Sequence, residues 1–333
     1  MPRVFSALFR RVDPFIMCLL LTIVLASFLP ARGAAASGVG GLQTVAVALL
    51  FFLYGARLSP REALEGLRQW RLHGIVFAVT FALFPLLGVL VRVLEPGLLG
   101  PQLYQGVLFL CLLPSTVQSS IAFTSIARGN VAAAICSATF SNLIGILATP
   151  LLAALLLNVT KSGADFAGQV LDIVLKLLVP FIGGQLARPW IAGWIRRHKR
   201  MTTLVDRGSI LIVVYGAFSE GVVGGIWGQL TPPRLVGLLL VNALLLAAVL
   251  AATSYGSRRM GFAKADRIAI IFCGSKKSLA TGVPMASVLF AGPMVGLMVL
   301  PLMLFHQMQL MVCAGLARRW AAKADVDHAA VIS

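Results

Sequence analysis

Apolar runs long enough to cross a bilayer follow one another along the chain, separated by short polar connections. A membrane-spanning helix needs roughly 20 mainly apolar residues. The pattern predicts ten such spans, at about 14–30, 41–58, 73–94, 104–127, 130–158, 168–188, 208–228, 233–255, 267–290 and 292–317. The expected fold class is therefore an all-α polytopic membrane protein. The first run, Phe15–Leu29, follows Arg10 and Arg11 and precedes Ala34, Ala35 and Ala36, which mimics a signal peptide. It is read as a retained span, because the count is symmetric only if it stays.

The connection 159–167 lies near the middle of the chain, with five spans on each side. An odd number of spans reverses topology, so two inverted five-helix repeats are expected, at 1–158 and 159–320. The second includes a basic linker at 189–207, with Trp190, Trp194, Arg196, Arg197, Lys199 and Arg200; a flexible tail follows at 321–333. Ser59, Pro60 and Glu62 open a capped amphipathic helix in the connection 59–72.

Composition sharpens the class. Residues are 59% apolar and 12% charged, against roughly 25% charged in soluble domains. Mean hydropathy is +0.93. A soluble enzyme is excluded. The net charge of +17 would suggest nucleic acid in a soluble domain, but here the basic residues sit in the connections. Arg57, Arg61, Arg128, Arg188, Arg258 and Arg318 fall on one side with their neighbours; the other side has only Arg32, Arg92, Lys161 and Arg234. That bias places both termini in the cytoplasm, and the compact loops suggest a bacterial inner (plasma) membrane. The five cysteines lie in or beside apolar runs without metal spacing and read as packing residues. No nucleotide loop, metal cluster or nucleophile–base pair stands out, and His73, His198 and His328 fall at or outside span edges. No cofactor, no metal, no nucleic-acid partner and no enzymatic activity are expected.

Three lysines remain inside predicted spans: Lys176, Lys276 and Lys277. The last two sit in Cys273-Gly274-Ser275-Lys276-Lys277-Ser278, ahead of Gly282 and Pro284. Lysine at bilayer depth costs roughly 2.5–3.5 kcal/mol on insertion scales and usually faces a cavity or a partner. The weak helix formers around it predict a broken helix, whose free N–H and C=O groups lipid cannot satisfy. Gln118-Ser119-Ser120 in the fourth span resembles Lys276-Lys277-Ser278 in the ninth, and Pro114 precedes it. Together these form an expected solute or ion site. Adjacent residues lie about 100° apart on a helix, so the pattern does not decide which lysine points into the site. Glu220 in the seventh span is the candidate counter-ion, and Asn142 a further polar ligand. Asp172 and Lys176 have the spacing of an i, i+4 pair. Arg128 and Asn130 read as a gate or helix-end anchor. His306, Gln307 and Gln309 make the tenth span polar, as an interhelical hydrogen-bonding group or a proton relay.

The stretch Pro114-Ser115-Thr116-Val117-Gln118-Ser119-Ser120, then Ala127-Arg128-Gly129-Asn130-Val131-Ala132, resembles the bile acid:sodium symporter superfamily, solute carrier family ten. Lys277-Ser278-Leu279 with Gly282-Val283-Pro284-Met285 resembles the branch of its seventh human member and bacterial relatives. The resemblance covers nearly the whole chain. It implies a panel domain of spans one, two, six and seven, a core domain of the rest, and spans four and nine crossing as unwound helices. Sodium-coupled relatives carry a glutamate before the ninth-span polar pair, and it serves a sodium site. Here Ile271–Ser275 has no acid, and Lys276-Lys277 stand where those relatives have Gln-Asn. Ser119-Ser120 correspond to their Ser-Asn pair. Two expected hydroxyl ligands fall near Ala134 and Ala138, with Ser137, Thr139, Ser141 and Asn142 close by. Ammonium groups in place of a carboxylate make cation binding unfavourable. A lysine can instead substitute for the missing cation, pair with an anionic solute, or carry a transported proton.

The leading expectation is a secondary transporter of a small organic anion by alternating access, proton-coupled or uncoupled. Its expected partners are that solute and membrane lipid. Sodium-dependent symport and a non-transporting regulator of ion handling or envelope assembly are the alternatives.

Overall fold

A computed structural model of the chain describes residues 14–57, 69–157, 166–225, 228, 230–290 and 294–332. Among the described residues there are helices and no strands. The helices are α1 (Pro14–Phe28), α2 (Ala34–Arg57), α3 (Trp70–Leu99), α4 (Pro101–Leu112), α5 (Gln118–Ile126) and α6 (Val131–Leu156). They continue as α7 (Phe166–Arg197), α8 (Lys199–Val223), α9 (Pro232–Arg259), α10 (Lys264–Gly274), α11 (Leu279–Leu289) and α12 (Met294–Ile332). Six helical stretches, in α2, α3, α6, α8, α9 and α12, are long and apolar enough to cross a membrane. Leu21, Phe28, Val93, Leu155 and Leu186 are largely exposed, a surface suited to lipid. The chain is a multi-pass membrane protein.

The chain divides into two compact units. One comprises Met1–Arg57, Pro180–Gln229 and Phe290–Gly296. Here α8 packs along α1 and α2. Tyr215 donates its hydroxyl to the Leu29 carbonyl at 2.8 Å, and the Gln43 amide reaches the Val213 carbonyl at 3.3 Å. Arg57 and Asp206 form an ion pair. Small residues let α2 and α7 touch backbone to backbone. A Cβ on Gly55 would overlap the Phe181 carbonyl, and one on Gly184 the Phe52 carbonyl.

The other unit comprises Leu58–Val179, Leu230–Leu289 and Leu297–Ser333. Its core joins α3, α6 and α10 through Leu72, Val76, Ala133, Ala134, Ala269, Ile270 and Cys273. A second cluster joins α10 to α12 through Ile268, Phe272, Cys313 and Ala317. Predicted spans four and nine are each two short helices. At 12 residues in α4 and 11 each in α10 and α11, no half reaches roughly 30 Å at about 1.5 Å per residue.

The structure refines several expectations. The basic linker 189–207 is helical: α7 runs through Pro189 to Arg197, and α8 starts at Lys199, after His198. The expected tail 321–333 continues α12 to Ile332, as its alanines favour. Ala34–Ala36, the apparent cleavage site, lie inside α2. The break in span nine falls at 275–278, at the two lysines as expected, and Gly282 and Pro284 are inside α11. His73, in the first turn of α3 and so at its edge as expected, is buried, with Nδ1 2.7 Å from the Ser137 hydroxyl. The helix expected after Ser59 lies outside the described residues, as does the Asp172 side chain; Lys176 is exposed on α7.

Candidate functional site

Two breaks in the larger unit meet. Pro114 forces Leu113 to be extended (φ −76°, ψ 155°), which ends α4. Helix α10 stops at Gly274, and Ser278 opens α11 by accepting the Thr281 N–H on its hydroxyl at 3.2 Å. The free backbone groups of each break are met by the other break or by hydroxyls. Ser115 donates to the Cys273 carbonyl at 2.6 Å and Ser120 to the Phe272 carbonyl at 3.1 Å. The Ser278 N–H donates to the Pro114 carbonyl at 2.9 Å. Thr149 reaches the Leu112 carbonyl at 2.9 Å. Asn142 ties both sides: its amide donates to the Ser115 carbonyl at 2.8 Å, and its oxygen accepts from Thr281 at 2.8 Å.

Lys277 completes the junction. Its Nζ donates to the carbonyls of Thr80 (2.9 Å), Cys111 (2.8 Å) and Leu113 (2.6 Å). These match its three N–H donors. The Phe84 ring centroid lies 4.2 Å away, within cation–π range. Each carbonyl is free for a local reason. Cys111 and Leu113 stand at the C-terminal end of α4, where carbonyls lack helical partners and the helix dipole favours a cation. Thr80 lies in a π turn, Val79–Leu83, in which the Phe84 N–H bonds Val79 instead. The next residue that could serve Thr80 is Pro85, which has no N–H. The Lys277 peptide is itself clamped. Its N–H donates to Gln309 Oε1 at 2.8 Å, and its carbonyl accepts from Gln309 Nε2 at 2.9 Å.

Lys276 is also fully buried, but differently held. Its Nζ makes one hydrogen bond, to the Ser119 carbonyl at 2.7 Å, and lies 3.9 Å from the Phe123 ring centroid. Two N–H donors therefore have no acceptor among the described residues. The structure thus brings Lys276, Lys277, Ser278, Ser119, Ser120 and Asn142 together. Gln118 begins α5 with its side chain exposed. The hydrogen-bond partners of the two ammonium groups are backbone carbonyls of the larger unit; Glu220 is on α8, in the other unit.

Arg128 and Asn130 form the turn between α5 and α6. Arg128 is exposed, with a left-handed φ of 57°. Asn130 caps α6 by accepting the Ala133 N–H at 3.0 Å and donates to Asp266 at 2.7 Å, pinning this turn to the start of α10. Thr80, Ser115, Thr281 and Gln309 were not singled out as site residues from sequence. The one signal for Thr80 was a proline five residues on; Gln309 showed only as polarity in an apolar span.

Comparison with known proteins places this geometry. The model of the SBF-like CPA transporter family matches residues 13–322. The chain belongs to that family. It is 52% identical over 318 residues to the putative symporter YfeH of Escherichia coli, covering 96% of both chains. It is 52% identical over 321 residues to the uncharacterized protein PA2026 of Pseudomonas aeruginosa, again 96% of each. Sodium/bile acid cotransporter 7 of Xenopus tropicalis is 29% identical over 312 residues, 91% of this chain and 90% of that one. The chain is thus a member of a transporter family whose relatives bear symporter and cotransporter names, and the superfamily resemblance of the motifs holds.

Proposed function

We propose that this protein is a secondary transporter that moves a small organic anion by alternating access, without a sodium ion at the junction of its broken helices. The observation that carries this is the carbonyl cage around Lys277: a tethered ammonium already occupies the helix ends that a free cation would otherwise neutralise. Lys277 has no donor left for a solute. Lys276 has two, beside Ser119 and the aromatic faces of Phe123 and Phe272, and is the group assigned to an anionic solute. Ser120, Ser278 and Asn142 hold the junction in shape; Arg128 and Asn130 hold its outer turn. The reading includes ten spans in two inverted repeats and both termini in the bacterial cytoplasm. The division into two units and the paired breaks support it.

The test is uptake of labelled organic anions into proteoliposomes in sodium, potassium or choline media. Transport that is equal in all three media and lost in Lys276→Gln is expected. The sodium-coupled alternative draws on the cotransporter name of the more distant relatives. Saturable dependence of uptake on sodium would establish it in place of our reading.

A further inference from the structure

Most backbone carbonyls of the two breaks are satisfied by the protein's own hydroxyl, amide or backbone donors: Leu112 by Thr149, Ser115 by Asn142, Pro114 by Ser278, Phe272 by Ser120, Cys273 by Ser115. The carbonyls of Thr80, Cys111 and Leu113 instead converge on one point, the Lys277 ammonium, at 2.9, 2.8 and 2.6 Å. Converging carbonyls replace a hydration shell in potassium-selective pores. The arrangement does not need the lysine to aim it. The π turn and Pro85 free the first carbonyl, and the end of α4 with Pro114 frees the other two. Uncharged carbonyl dipoles without a carboxylate suit a single positive charge and not a divalent ion, which usually takes carboxylates.

We propose that the Thr80, Cys111 and Leu113 carbonyls and the Phe84 ring constitute a monovalent-cation site, filled in the native chain by the Lys277 side chain and open to an ammonium- or potassium-sized cation once that side chain is removed. Because the native occupant is covalently attached, the site neither gains nor loses a metal cation, and a sodium or potassium gradient has no purchase there. The proposal shares the Lys277 cage with the proposed function, but its test reads the melting of variants and not transport, so the two readings can fail separately.

The experiment measures melting of purified protein in choline, sodium, potassium, n-propylammonium and n-butylammonium chlorides. Lys277→Ala removes the atoms of a propylammonium ion, and Lys277→Gly those of a butylammonium ion. A saturable rise in melting temperature is expected for the alanine variant with propylammonium, a larger rise for the glycine variant with butylammonium, a smaller rise with potassium, and none with choline. Lys276→Ala, which empties a place with one carbonyl, shows no such rise, and nor does the unsubstituted protein. Equal melting of the Lys277 variants in every salt overturns the proposal, as does failure to recover either of them in any salt. A matching rise in Lys276→Ala also overturns it.

Discussion

Replacing Lys277 with methionine keeps a flexible chain of similar reach and deletes the ammonium. Three carbonyls then lose their donor in a site with no exposure to solvent. A buried polar group left unsatisfied costs about 1–3 kcal/mol, so the lower bound for three is about 3 kcal/mol. Removing a buried charge returns part of its desolvation cost, which keeps the net effect near that lower bound. Lys276→Met removes one hydrogen bond and one close ring contact, for a loss of about 1–2 kcal/mol, with the same relief from desolvation. The two adjacent substitutions should therefore differ by about 1–2 kcal/mol, a factor of roughly 5–30 in the folded-to-unfolded ratio. Reversible denaturant unfolding in bicelles, followed by tryptophan fluorescence, measures this. Equal losses for the two variants, or a greater loss for Lys276→Met, would refute the division of roles drawn from their coordination.

Three further outcomes are expected. Pro85→Ala restores an N–H that can compete for the Thr80 carbonyl; it should narrow the stability gap between Lys277→Met and its parent by about 1 kcal/mol in the same assay. Arg128→Gly relieves a left-handed backbone and should stabilise the protein by roughly 1 kcal/mol; a loss instead would show that the Arg128 side chain anchors the turn. Gly184→Ala drives a methyl group into the Phe52 carbonyl and should destabilise by about 1–3 kcal/mol, whereas Gly74→Ala, which meets nothing within 4 Å, should not; thermal melting of the two compares them directly.

The membrane class, the helical content and the importance of the two broken stretches were legible from apolar run length and from glycine, proline and lysine placed where lipid would reject them. Ser278 and Asn142 meet at the same junction through Thr281, because short polar side chains in apolar spans need partners. Glu220 was drawn in as a counter-ion because charge pairing is visible in sequence, whereas the carbonyls that meet Lys277 are not. The span-nine break lies at the lysines, where the weak helix formers on both sides of them had put it; one of those, Gly282, lies inside α11, where a Cβ would press on Leu113 and Leu302. Tertiary contact overrode propensity there.

Local chemistry along the chain was enough to say that helices fill a bilayer, that two of them are interrupted, and that positive charge sits at one interruption. Those properties depend on residue type and short spacing. The distinct fates of Lys276 and Lys277 depend on the carbonyls of Thr80, Cys111 and Leu113, which lie more than 160 residues away in the chain. Which way a carbonyl points is set by backbone geometry and by which N–H groups compete for it, so only the folded arrangement could make one lysine a fixed internal cation and leave its neighbour with donors to spare.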